Sequence, residues 1–427
     1  MADRRTSRNP WAWVPSLYFA EGIPYVIVMT VSVIMYKKLG VSNTEIALYT
    51  SWLYLPWAIK PLWSPFIDMF MTKRFWVVMT QFLTSVALVG AALVIPMSLF
   101  LVLTLGVFAV IALNSATHDI AADGFYMLGL NEPQQAAFVG IRSTFYRIAM
   151  IAGQGALVVL AGFLEPQVGI PHAWAITFFV IAAMFALLCL YHRFILPYPA
   201  SDKSTLQDQS GGLLPEFFKT FVLFFKRKDI LAILLFLFFY RFAEAQLVKL
   251  VSPFLLDPRE SGGLGLSTSE VGIVYGTVGI IALTAGGLLG GYAISRRGLG
   301  WWLWPMVIIM HTPDLMFVYL SQVQPDNLFF INIAVALEQF GYGFGFTAYA
   351  MYMIYISQGE HKTAHFAICT GIMAAGMMLP GMISGKIQEL IGYPHFFLWV
   401  MVSTIPGFLV AALVKIDPEF GKKKAEP

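Results

Sequence analysis

Apolar runs of about 20 residues follow one another along almost the whole chain, separated by short polar turns. Inside a bilayer every backbone N–H and C=O has to be satisfied within the protein, so runs of this length are read as spanning helices. Twelve can be placed: 11–36, 44–67, 75–95, 98–122, 136–164 and 172–196, then 230–256, 268–295, 300–320, 327–356, 364–391 and 393–414. Of the 427 residues 58% are hydrophobic and 12% charged, and mean hydropathy is +0.72. Soluble domains carry roughly twice that charged fraction, so no separate soluble domain is expected. The first run follows a basic stretch and has no small-residue cleavage site, so it is expected to span rather than to be a removed leader.

The one long polar stretch, 197–212, has the Ser/Gln/Asp/Gly composition of a linker. After it, 213–228 alternates aromatic and basic residues, as an amphipathic helix lying in the membrane interface does. The expected organisation is therefore a six-helix bundle over 1–196, a linker over 197–229, and a second bundle with a basic tail over 230–427. Basic residues concentrate on one side, with Arg4, Arg5, Arg8, Lys73, Arg74, Lys226, Arg227, Lys228, Arg296, Arg297 and Lys422 among them. The other side holds Lys37, Lys38 and Arg259. The positive-inside bias then puts both termini in the cytoplasm. A net charge of +3 gives no reason to expect nucleic acid. Cys189 and Cys369 lie in apolar runs and read as buried thiols; no metal or cofactor is expected.

The halves repeat. Tyr18-Phe-Ala-Glu21 answers Arg241-Phe-Ala-Glu244, and Asn131–Phe138 answers Gly359–Phe366 with Glu, Ala and Phe at the same spacing. The stretches after the second segment of each half, Ser64–Met71 and Gly291–Gly298, form a third pair at nearly the same offset. Parallel six-helix repeats are an architecture of secondary transporters.

Ionisable residues inside the spans cost at least about 2.5–3.5 kcal/mol each at the bilayer centre, so each needs a partner or a polar cavity. Glu21, about ten residues into its run, lies near mid-membrane, as do Glu244 and Glu338. A coupled carrier needs a carboxylate whose proton affinity changes with its surroundings, which makes these three, with Asp119 and Asp123, the proton-coupling candidates. Segments 4 and 5 form a hairpin, and depth counted from its turn sets Asp119 beside Arg147 and Asp123 beside Arg142. Lys60, Arg147, Arg241 and Lys249 favour an anionic substrate, with Tyr18, Tyr25 and Tyr240 as stacking surfaces for sugar rings. His118 beside Asp119 reads as a hydrogen-bonded packing residue, and Arg142, Asp314, Lys386 and Glu389 as members of structural ion pairs.

Local motifs carry a family likeness. The loop Asp68-Met-Phe-Met-Thr-Lys73-Arg74 resembles the major facilitator loop motif, without its glycines; the second copy keeps Gly291, Arg296, Arg297 and Gly298. That resemblance implies a gating role for Asp68, Lys73, Arg74, Arg296 and Arg297. Lys60-Pro-Leu-Trp-Ser-Pro-Phe-Ile-Asp68, Ser115-Ala-Thr-His-Asp-Ile-Ala-Ala-Asp123 and Tyr146-Arg147 with Met150 resemble motifs of the AmpG muropeptide permeases and the related acetyl-coenzyme A transporters. His118 stands where that family has glutamine, and Glu132-Pro-Gln-Gln replaces its Glu-Arg-Gly. The likeness implies an all-α integral membrane protein of the major facilitator fold, with Tyr146 added to the substrate residues. It further implies a bacterial inner-membrane, monomeric, proton-driven importer of N-acetylglucosaminyl-anhydro-muramic acid with or without peptide. Another anionic saccharide or acetyl-coenzyme A is the alternative cargo. A membrane-embedded acyl- or glycosyltransferase is disfavoured: no sizeable polar loop exists to hold a catalytic site, and no H-E-x-x-H or P-loop occurs.

Overall fold

The computed structural model describes residues 8–203, 219, 221–359 and 362–423, without the side chains of Asp68, Met69, Glu132, Ala136 and Thr363. These residues form α1 (Pro10–Lys38), α2 (Asn43–Trp52), α3 (Leu55–Phe70), α4 (Lys73–Val94), α5 (Phe100–Gly129), α6 (Pro133–Val168) and α7 (Ile170–Ile195). They continue as α8 (Ile230–Phe239), α9 (Phe242–Leu256), α10 (Thr268–Arg297), α11 (Leu299–His311), α12 (Leu315–Val323), α13 (Leu328–Ile356), α14 (Lys362–Val402) and α15 (Ile405–Leu413). Ten helical runs among the described residues are long and apolar enough to cross a membrane. The second segment is missing from that set because it is broken into α2 and α3, where Pro56 enters the first turn of α3 and disfavours a helical Tyr54–Leu55 junction. The last run holds two segments, parted at Gly392.

The described chain divides into two compact units, residues 1–39 with 59–216, and 40–58 with 217–427. In the first, α4 packs on α5 and α7, and α1 on α6. Gly22 and Gly153 allow the latter approach: a Cβ on Gly22 would lie 2.8 Å from Ala149 Cβ, and one on Gly153 2.2 Å from Val26 Cγ1. In the second, α10 packs on α13, α11 on α13, and α14 on α9 and α2. Asn43 Nδ2 donates to Gln388 Oε1 (2.7 Å) and Tyr393 Oη (2.8 Å), while Glu389 accepts from the Thr44 N–H and hydroxyl. Glu389 thus caps a helix start, where an ion pair was expected.

Each unit closes its last helical hairpin with the same device. Gly169 (φ 82°) and Gly392 (φ 73°) turn the chain, each followed by X-Pro-His. Two helices of the second unit start with a Ser-x-x-Glu box, one from each half of the sequence: Ser42 with Glu45 on α2, and Ser267 with Glu270 on α10.

Of the stretch 213–228, expected to be an interfacial helix, residues 213–218 and 220 lie outside the described residues. Residues 221–225 are helical, and Phe224 is buried in the core of the second unit.

Candidate functional site

In the first unit, charges from four helices converge. Glu21 on α1 is buried at 8% exposure. Lys60 of α3 forms an ion pair with Asp119 of α5, and Arg142 Nη2 of α6 lies 2.8 Å from Asp123 Oδ1 of the same α5. The Arg142–Asp123 pair is the one that depth counting gave; Asp119, counted toward Arg147, finds a cation on α3. These four side chains are 24–41% exposed, so the pairs border accessible space while Glu21 lies beneath. Glu21 is within side-chain hydrogen-bonding reach of Asp119. Tyr18 donates to Asp123 Oδ1 at 3.0 Å, and the Arg142 guanidinium sits over the Tyr18 and Tyr126 rings at 4.5 and 5.2 Å. With Tyr18 only 1% exposed, its ring packs and its hydroxyl orients the carboxylate. Tyr25, Tyr146 and Arg147 are half-buried on α1 and α6.

Behind this cluster runs a buried polar chain. Ser16 Oγ meets His192 Nε2 at 2.9 Å, His192 Nδ1 meets Gln81 Oε1 at 2.9 Å, and Gln81 Nε2 meets His118 Nε2 at 3.0 Å. His118 is therefore a hydrogen-bonded packing residue. Gln81 and His192 were not singled out in the sequence: each is a lone polar residue in an apolar run, a signal too common to read alone.

The second unit holds a different cluster. One carboxylate oxygen from each of Glu244, Asp314 and Glu338 lies within 4.8 Å of the others, and all three residues are at most 1% exposed. Glu338 Oε2 accepts from Gln339 Nε2 (3.0 Å), and His311 Nδ1 lies 3.7 Å from Asp314 Oδ2. The cluster forms because two segments are interrupted here: α8 gives way to α9 at Tyr240–Arg241, and α11 to α12 through the short turn Thr312–Asp314, which contains Pro313. Glu244 thus falls in the first turn of α9, and Asp314 directly precedes α12. Asp314 is more than a member of an isolated ion pair, and His311 was not singled out.

Arg241 hydrogen-bonds the Tyr342 hydroxyl and lies over the Phe346 ring at 4.9 Å. Tyr240 is fully buried and donates to Gly345 O at 2.9 Å, which makes it a packing residue in this structure. Lys249, 3% exposed, donates to Thr50 Oγ1 at 2.8 Å.

In the loop motif, the Lys73 side chain packs against Gly124, next to Asp123. The Asp68 side chain is outside the described residues. Asp202 caps the start of α4, accepting from the backbone N–H groups of Lys73 (2.7 Å) and Arg74 (3.0 Å), while Arg74 lies over the Tyr198 ring at 3.8 Å. In the second unit Arg296 bonds Tyr292, Arg297 lies over Trp301 at 4.5 Å, and Phe420 O accepts from Leu299 N at 2.9 Å. In both units the segment after the last helix ties down an N-terminal helix turn.

No model of a known protein family matches the chain. Curated relatives do. The anhydromuropeptide permease of Escherichia coli K12 is 26% identical over 95% of this chain and 79% of its own length. A transporter named AmpG 4 from Rickettsia conorii is 24% identical over 92% and 94%. Among solved structures, a D-xylose–proton symporter superposes with a TM-score of 0.71 at 11% identity, covering 97% of this chain and 99% of that one. The fold is that of the major facilitator transporters, all helical, and the relatives are permeases and transporters rather than enzymes. The chain is a multi-pass membrane transporter, similar to permeases and transporters named AmpG.

Proposed function

We propose that this transporter imports anhydro-muropeptides, N-acetylglucosaminyl-anhydro-muramic acid with or without peptide, across the bacterial inner membrane, driven by protons. The observation that carries the reading is the first-unit cluster: two partly exposed Lys/Arg–Asp pairs beside a buried glutamate. An anionic substrate competes with Asp119 and Asp123 for Lys60 and Arg142. A carboxylate released from its cation in an apolar setting takes up a proton. Glu21, within hydrogen-bonding reach of Asp119, holds that proton between the two carboxyl groups. Substrate binding and protonation then favour each other, which is the linkage that symport requires.

In this reading the bundles 1–196 and 230–427 alternate access around the substrate, with 197–229 as linker, both termini cytoplasmic, and the Asp68, Lys73, Arg74, Arg296 and Arg297 loops as closure points. Tyr25, Tyr146 and Arg147 belong to the substrate side of α1 and α6.

The test is uptake of labelled disaccharide, with and without peptide, into proteoliposomes under an inward proton gradient. Uptake that collapses with a protonophore and in Glu21→Gln supports the reading. Folded, oriented protein that takes up neither compound removes this substrate, and other anionic saccharides and acetyl-coenzyme A come next.

A further inference from the structure

The carboxyl cluster of the second unit is short of partners. Both oxygens of Glu244, both of Asp314 and one of Glu338 have no hydrogen-bond partner among the described residues, and neither do both ring nitrogens of His311. His311 is 2% exposed, with its Nδ1 turned toward Asp314. Buried polar groups are otherwise almost always satisfied. These orphans converge where two spanning segments break, and broken helices with free ends are where membrane carriers hold ions.

Charge chooses the ion. Fully ionised, the three carboxyl groups carry three negative charges. Arg241, an electrostatic neighbour of Glu244, offsets one. The N-terminal ends of α9 and α12 offset roughly half a charge each. About one negative charge remains, which a monovalent cation neutralises and a divalent one exceeds. Size agrees: a point equidistant from three oxygens 4.8 Å apart lies within about 2.8 Å of each, and a small inward adjustment reaches the roughly 2.3–2.6 Å of calcium-sized ions, a class that includes Na⁺.

We propose that Glu244, Asp314 and Glu338 form a sodium-ion site within the second unit. The other charged or titratable groups facing it are Arg241 on its own segment, His311 from α11 and Tyr275 from α10. The proposal goes beyond the muropeptide reading and does not depend on it: the ion binds whatever the cargo is, and protons still act at Glu21 and Asp119.

The experiment uses purified full-length protein in detergent without substrate, titrated with NaCl against choline chloride at constant ionic strength. Melting temperature and ²²Na⁺ binding are the readouts. Expected is a saturable, Na⁺-specific rise in Tm, absent with K⁺. The effect should vanish in Glu338→Gln and Asp314→Asn and survive in Glu21→Gln. Na⁺ acting no better than K⁺ or choline overturns the proposal, as does saturation by Ca²⁺ but not Na⁺. So does an effect that survives both carboxamide variants, or one lost in Glu21→Gln, which puts the ion in the first unit. The wild-type ion series still tests the proposal where a variant fails to fold. Absence of muropeptide uptake leaves this binding result untouched.

Discussion

Glu21 and Glu244 end the same Phe-Ala-Glu sequence in the two halves, yet they have opposite company. Around Glu21 each aspartate has a cation of its own: Lys60 for Asp119, Arg142 for Asp123. Around Glu244 the carboxyl groups gather with one another, with Glu338 and Asp314 as electrostatic neighbours. A duplicated scaffold thus fixes the depth of an acidic residue without fixing how its charge is balanced. Balance is set by residues on other helices, which diverge freely. In the proposed reading the first unit exchanges one anion for another at fixed cations, and the second collects positive charge from outside.

The sharpest way to break this comparison is to remove a cation from the first unit. Lys60→Met leaves Asp119 unpaired and should cost about 2–3 kcal/mol, less than the 3–5 kcal/mol of a fully buried pair because both side chains are partly exposed. The double variant Lys60→Met with Asp119→Leu should recover most of that stability while remaining unable to transport. Thermal melts of the four proteins of this cycle measure the coupling directly. Additive losses would show that the two residues do not act as a pair.

The opposite sign is expected in the second unit. Glu338→Gln removes one of three crowded carboxylates and keeps an acceptor for Gln339, so in sodium-free buffer it should melt no lower than wild type, and about 1 kcal/mol of stabilisation is expected from relieved like-charge crowding. Asp119→Asn in the first unit should instead melt lower, since Lys60 loses its counter-charge. Equal shifts in the two variants would erase the distinction between the clusters.

What the sequence disclosed follows the range of the physics involved. Twelve apolar runs announce helices because length and hydropathy act locally. The Arg142–Asp123 pair was legible because both residues sit on one hairpin, whose turn sets their depth. Lys60 was missed as the Asp119 partner because a count along α5 and α6 cannot see α3. The carboxyl cluster was half visible: Glu244 and Glu338 stood out as mid-membrane acids, but their meeting with Asp314 needs two helix breaks. Pro313 marks one break; no proline or glycine marks Tyr240–Arg241. The grouping of residues 40–58 with 217–427 rests on the packing of α2 against α14, a contact between distant segments that periodicity does not encode.

Where the halves share backbone rather than charge, they should respond alike. Gly169 and Gly392 have φ of 82° and 73° with extended ψ, a region closed to residues with a Cβ at a cost of about 1–3 kcal/mol. A Cβ on Gly169 would meet nothing within 4 Å, and one on Gly392 only Pro394 Cδ at 3.9 Å, so the penalty for Gly→Ala is one of backbone alone and should be close to equal at the two sites. Unequal melting shifts would mean that the two turns are held differently by their surroundings.

The smallest effect tests the same equivalence at the helix starts. Ser42 Oγ accepts from the Glu45 N–H and Ser267 Oγ from the Glu270 N–H, at 3.2 and 3.3 Å, and each glutamate reaches back to its serine. Ser→Ala at either site should cost about 1 kcal/mol. The return bond differs: 2.8 Å from the Ser267 N–H to Glu270 against 3.4 Å from the Ser42 N–H to Glu45. That bond comes from the backbone N–H, which alanine keeps, and the hydroxyl bonds that are lost have nearly the same lengths at the two sites, so the two melting shifts should be close to equal. A larger loss at Ser42 would mean that α2 depends on its cap more than α10 does, as a short helix of ten residues would if its packing on α14 contributed little.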